Sequence, residues 1–171
     1  MRFLADCMLG KLAKWLRMLG YDTVYIPGAD DDELVRIAVR EDRILLTRDR
    51  PLSERRMVRM RSVFVDWGTT SQQIRQVVDA LGLELSEDRM FTVCTVCNGA
   101  IVPVEKSEVA DRIPPHVYQT LDDYGRCPNC DRIYWRGTHV QHVLEALRNA
   151  EKGANAKPRK SERKEPGRGI V

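Results

Sequence analysis

Four cysteines in two matched pairs form the sharpest chemical pattern in the chain: Cys94-Thr95-Val96-Cys97 and Cys127-Pro128-Asn129-Cys130. Two residues between thiolates let one turn present both sulfurs at about 2.3 Å from a single ion, with its amides facing the sulfurs. Four thiolates close a tetrahedral shell and leave no open position for water. The expectation is therefore a structural Zn2+ whose binding energy becomes folding energy for the C-terminal half. Cys7 stands beside a predicted strand end, where a nucleophile could sit, but a phosphatase-type loop would need an arginine where this chain has Ala13, so Cys7 is read as structural. His139 and His142 can share a helix face. With zinc already satisfied by sulfur, they are read as surface or substrate-facing side chains.

The second pattern is acidic. Asp6, the run Asp30-Asp31-Asp32, Asp49 and Asp66 are far apart in sequence, yet each follows a predicted strand or opens the helix after one. In an open parallel sheet the carboxyl ends of the strands share one edge, where ligand sites form, so these carboxylates are expected to converge. Crowded carboxylates protonate unless a cation neutralises them. Hard oxygen ligands call for Mg2+ or Mn2+, which suits activating water for attack on a phosphodiester. Each acid also has a plainer role. Asp30 is a good helix N-cap with Glu33 at the capping-box position, and Asp49 and Asp66 taken singly would be solvated loop acids. Nine arginines between Arg36 and Arg61, against four acids, add a phosphate-attracting rim or, for any one of them, a solvated helix face.

Elements must bring these groups together. Phe3-Leu4-Ala5 reads as a strand ending at Asp6, and Leu9, Leu12, Trp15, Leu16 and Leu19 as one face of a helix stopped by Gly20. Asp22 to Ile26 is a short strand, and Leu34, Ile37 and Ala38 mark a second amphipathic helix. Arg43 to Thr47 and Ser62 to Val65 are further strands, followed by a helix over about 71–81 with Gly82 just past it. Strands alternating with helices imply an α/β fold with a parallel sheet. The expected division is a first domain over 1–88, a zinc-ribbon module over 89–150 ending in a helix near 140–148, and a basic tail over 151–171.

At 171 residues and 43% hydrophobic content, the chain can bury a core of about 100 residues plus a smaller module. No apolar run approaches the roughly 18 to 20 residues that cross a bilayer, and Asp6 interrupts any signal-peptide core, so no membrane association and a cytoplasmic location are expected. Paired cysteines in a reducing compartment ligate metal rather than form disulfides. The formal charge of +3 belongs to the tail, where seven Lys or Arg face three Glu. That tail has too few apolar side chains to offset its ordering entropy, and its expected role is either solubility or non-specific phosphate contact.

The segments Asp6-Cys7-Met8-Leu9-Gly10-Lys11-Leu12-Ala13-Lys14-Trp15-Leu16-Arg17, Asp31-Asp32-Glu33-Leu34 and Ile44-Leu45-Leu46-Thr47-Arg48-Asp49-Arg50 carry a resemblance. Together with the cysteine pairs and Ile133-Tyr134-Trp135-Arg136-Gly137-Thr138-His139, they resemble the Mut7-C ribonuclease family from about Met1 to Leu147. The resemblance implies a PIN-like nuclease domain followed by a zinc ribbon, with an acidic, metal-dependent RNase site. By motif, Asp6 closes the first strand, Asp31 or Asp32 opens the second helix, and Asp49 is the acid of Thr-Arg-Asp. Asp66 rests on strand position alone, and Thr138 stands where family members often have Ser.

The leading expectation is thus a metal-dependent ribonuclease in which Asp6, Asp49 and one of Asp31 or Asp32 hold Mg2+ or Mn2+. Lys11, Lys14, Arg48 and Arg50 would hold the RNA backbone. Tyr134 and Trp135, with His139, would face single-stranded RNA, although the two aromatics equally suit the ribbon's small core. The alternatives are a non-catalytic nucleic-acid-binding zinc-ribbon protein and a toxin-like or ribosome-associated module that binds a protein partner.

Overall fold

A computed structural model describes residues 1–136. The expected helix near 140–148, the basic tail, Thr138, His139 and His142 lie outside the described residues. Strands β1 (Arg2–Ala5), β2 (Asp22–Tyr25), β3 (Ile44–Thr47) and β4 (Ser62–Phe64) form a sheet in the order β2-β1-β3-β4, with every pairing parallel. The helices α1 (Gly10–Met18), α2 (Asp31–Arg40), α3 (Arg50–Glu54) and α4 (Thr70–Leu81) supply the crossovers and flanks.

Strand alternation assigns the two faces. Phe3, Ala5 and Leu46 point to one side, where Leu12 and Leu16 of α1 and Ile74 and Val77 of α4 cover them. Leu4 and Leu45 point to the other, against Leu34 and Ile37 of α2 and Leu52 of α3. Phe3, Leu4, Leu45 and Leu46 are fully buried, as expected for a parallel sheet covered on both faces. The apolar periodicity does not announce α3, which is too short to show one. Asp49 starts it by accepting the Leu52 N–H at 2.8 Å, and a proline occupies its first turn. The helix expected near 71–81 begins at Thr70, behind a capping box of Thr69 and Gln72, and ends at Gly82 in the left-handed conformation.

The first core runs past the boundary expected at Asp88. Met90 is buried in it and Phe91 packs against it. Gly20, at φ +84, makes this possible, because a Cβ there would overlap the Arg89 carbonyl. The C-terminal module holds an antiparallel sheet of β5 (Val102–Val104), β6 (Tyr124–Arg126) and β7 (Ile133–Trp135) in that order. A 3-10 turn stretch (Lys106–Arg112) and α5 (Pro115–Thr120) pack Val109, Ile113 and Val117 against Tyr124.

The two modules are joined by polar contacts. Buried Arg17 of α1 donates from Nε to the Thr23 carbonyl at 2.7 Å and from Nη1 to the Val96 carbonyl at 2.9 Å. The Asn98 side chain accepts the Thr23 N–H at 2.7 Å and donates to Asp22 at 2.6 Å. β2 is the outer strand of its sheet. One cysteine turn thereby satisfies a donor on the outer strand edge, a position that left unpaired invites foreign pairing.

Candidate functional site

The acidic residues share the carboxyl edge of the parallel sheet, as expected, through separate attachments. Asp6 follows β1 directly and is only 6% exposed. Its backbone N–H bonds the Leu46 carbonyl at 2.9 Å, and its Oδ2 accepts the Thr47 hydroxyl at 2.7 Å. The same Thr47 Oγ1 accepts the Asp49 N–H at 2.9 Å. Thr47, a motif residue to which the sequence assigns no role of its own, thus links the two acids carried by β1 and β3. Asp6 forms no ion pair among the described residues.

The remaining acids are held differently. Asp31 and Asp32, in the first turn of α2, are both paired with Arg55, at 3.0 and 2.5 Å. Asp30 is the N-cap, accepting the Glu33 N–H at 2.8 Å, in its plainer role. Asp66 is exposed beyond β4; its N–H donates to Gln76 Oε1 and its Oδ1 accepts the Trp67 N–H, each at 2.7 Å. Convergence is therefore to one edge and not to one point. Among the described residues, the cysteine quartet is the group of three or more potential ligands whose donor atoms all lie within 4.8 Å of one another, and the acids form no such group. Arg55 has drawn Asp31 and Asp32 to itself, and Asp49 spends Oδ1 on its helix cap.

The expected phosphate-binding cations fall in two sets. Arg48 stacks on Trp67 with its Cζ 3.3 Å from the ring centroid, and Arg50 on Phe64 at 4.1 Å. Lys11 and Lys14 are exposed on α1. Lys14 lines a cleft of about 380 Å³ shared with Thr95, Arg112, Arg132, Tyr134 and Trp135. Trp135 packs on the ribbon core, in line with the core role. Tyr134 places its hydroxyl 3.0 Å from Cys94 Sγ.

The cysteines of the second region meet. Asn98 and Asp131, each just after the second cysteine of its pair, adopt φ of 65° and 60°. In each turn the N–H of that residue bonds the carbonyl of the first cysteine, Asn98 to Cys94 at 3.0 Å and Asp131 to Cys127 at 2.8 Å. The first cysteine's N–H is returned to Gly99 in one turn and Arg132 in the other, at 2.7 and 2.9 Å. Sγ separations of 3.5 Å for Cys94–Cys130 and 3.4 Å for Cys97–Cys127 compare with about 3.8 Å between ligands of a tetrahedral ion with Zn–S of 2.3 Å.

Burial pushes the Cys94 thiol up, but the Cys97 N–H and the Tyr134 hydroxyl outweigh it and bring it down to about 6. Burial and the neighbouring sulfurs push Cys130 up to about 12. Such sulfurs cannot all ionise together without a cation, and a bound divalent ion reverses that balance. The four residues fit zinc.

Fold and site together define an α/β protein with a parallel sheet, an acidic carboxyl edge and a four-cysteine cluster of the kind a zinc ribbon uses. The chain matches the Mut7-C RNAse domain family over residues 1–147 and belongs to it, which gives it a nuclease-like role. No curated protein and no solved structure matches it. Among the described residues, no helix is long and apolar enough to cross a membrane.

Proposed function

We propose that this protein is a metal-dependent ribonuclease that hydrolyses RNA phosphodiester bonds at the carboxyl edge of the parallel sheet. Zinc in the four-cysteine cluster would hold the ribbon against the nuclease domain. The observation that carries the reading is the buried carboxylate of Asp6, without an ion pair among the described residues and tied through Thr47 to Asp49. Membership of an RNase family supplies the substrate class.

Asp6, Asp49 and one of Asp31 or Asp32 would hold Mg2+ or Mn2+, whose chemistry is to lower the pKa of bound water and to offset charge on the phosphate. The chain's own contribution is positional. The Thr47 hydroxyl fixes which Asp6 oxygen faces the edge, and the α3 cap fixes Asp49. Arg48, Arg50, Lys11 and Lys14 raise the local concentration of phosphate. Asp66, one strand further out, is a further candidate acid of the same edge.

A second reading, a nucleic-acid-binding module without catalysis, draws on the pairing of Asp31 and Asp32 with Arg55, which already engages one oxygen of each acid. Cleavage of a labelled single-stranded RNA by the zinc-loaded protein, with and without Mn2+, separates the two. Asp6→Asn and Asp49→Asn should each abolish cleavage while RNA affinity stays equal or rises, because Asn keeps the size and the Thr47 contact but loses the charge. Wild-type rates in either variant would remove the metal site; salt-dependent binding without cleavage in the wild type would favour the second reading.

A further inference from the structure

Trp67 stands two residues beyond Val65 at the carboxyl end of β4 and is 77% exposed. The backbone beneath it is tied down: Asp66 accepts the Trp67 N–H at 2.7 Å, Gln76 accepts the Asp66 N–H, and the Thr69–Gln72 capping box follows. The strand β4 pairs with β3, and the Val65 N–H bonds the Thr47 carbonyl at 2.8 Å, so Trp67 lies beside the Thr47-Arg48-Asp49 turn of the acidic edge.

Arg48 lies against the ring at 3.3 Å from its centroid, and its Nε and Nη2 are shielded from solvent without a hydrogen-bond partner among the described residues. Leaving guanidinium donors unbonded is costly, and the cation–π contact offsets only part of that cost. A tryptophan serving the core would be covered. One ring face is occupied by Arg48 while most of the side chain stays open to solvent. Arg50 on Phe64 repeats the cation–aromatic pairing on the same edge strand.

Resting on the ribonuclease reading above, we propose that Trp67 is a stacking platform for one unpaired base of a single-stranded nucleic acid at the acidic edge, with Arg48 bracing the ring from behind. Any base offers a π face, so such a platform is tolerant of sequence, whereas bases inside a duplex cannot reach it. The edge would therefore select unpaired RNA.

The test titrates the full-length, zinc-loaded protein with a single-stranded RNA octamer, and with the same sequence as a duplex, without added Mg2+ or Mn2+. Tryptophan emission and the anisotropy of a labelled octamer are followed separately. The single strand should quench emission and the duplex should not. Trp67→Ala should weaken single-strand binding about tenfold while the protein stays folded at the assay temperature, as expected for loss of one stacked base. Trp67→Phe should keep near wild-type affinity and lose the quench. Single-strand affinity unchanged in Trp67→Ala, or weakened equally for duplex and single strand, overturns the platform. If the wild type binds and quenches but does not cleave in Mn2+, the platform stands and the nuclease reading falls; normal cleavage with unaffected Trp67→Ala binding sinks the platform alone.

Discussion

In the ribbon, four sulfurs from two turns of the same backbone conformation lie within 4.8 Å of one another. At the sheet edge, acids from separate elements face the same side but are each occupied locally, by Thr47, by an α3 amide or by Arg55. The cysteine turns are built from neighbours in sequence, so their geometry is carried by the turn and needs little from the rest of the molecule. The acids depend on strand order and on which cation or amide reaches them first. A cluster of four thiolates accordingly needs one ion to hold it, while the acidic edge needs the fold to assemble it.

The largest test of that difference is removal of zinc. Chelation, or Cys127→Ser, should cost the ribbon on the order of 10 kcal/mol of folding energy. It should open residues 92–136 to proteolysis while the parallel-sheet domain keeps its helical circular dichroism. Simultaneous loss of both would show that the regions are not independent. Arg17→Leu sharpens the same comparison from the other side. It strips the Thr23 and Val96 carbonyls of a charged donor and should destabilise the docked ribbon by about 3 kcal/mol, read as faster cleavage after Phe91 with zinc still bound. Retention of wild-type protease resistance would make the Arg17 contacts incidental.

Smaller effects separate backbone from side chain. Asn98→Gly preserves the left-handed turn but deletes the amide that bridges Thr23 and Asp22, and a loss of about 1 kcal/mol in thermal stability is expected. At the acidic edge, Asp49→Ala should cost about 1 kcal/mol by removing the α3 cap, whereas Asp49→Asn, which still caps, should melt close to wild type. Equal melting of the two would mean that the cap contributes nothing.

The smallest effect is a pH dependence at the junction. Burial pushes the Asp22 carboxyl up, but Arg43 and the Asn98 amide more than offset this and hold it below the usual range. With a depressed folded pKa, its stabilisation is present above the unfolded value near about 3.9 and is lost as pH falls through the lower folded value. The melting temperature of the wild type should therefore fall toward that of Asp22→Asn on acidification below about pH 4. A constant difference between the two would remove Asp22 from the junction.

What could be read without coordinates was whatever repeats locally. The Cys-x-x-Cys spacing specified the ribbon's ligand set, the alternation of short apolar strands with amphipathic helices specified the parallel sheet, and strand ends marked where acids would gather. Those signals span a few residues, and one turn or one strand suffices to express them. Tertiary structure decided the rest. Arg55 lies far along the chain from Asp31 and Asp32 yet pairs with both; Thr47 ties Asp6 to Asp49; and Arg17 and Asn98 fasten the ribbon to β2. Met90 belongs to a core that begins with Phe3, beyond the boundary expected near Asp88. Trp67 gave no periodic signal, being a single side chain whose position matters only because β4 pairs with β3. Partners of this kind are chosen by distance in space, and a carboxylate or guanidinium bonds whichever group the packed backbone brings within reach.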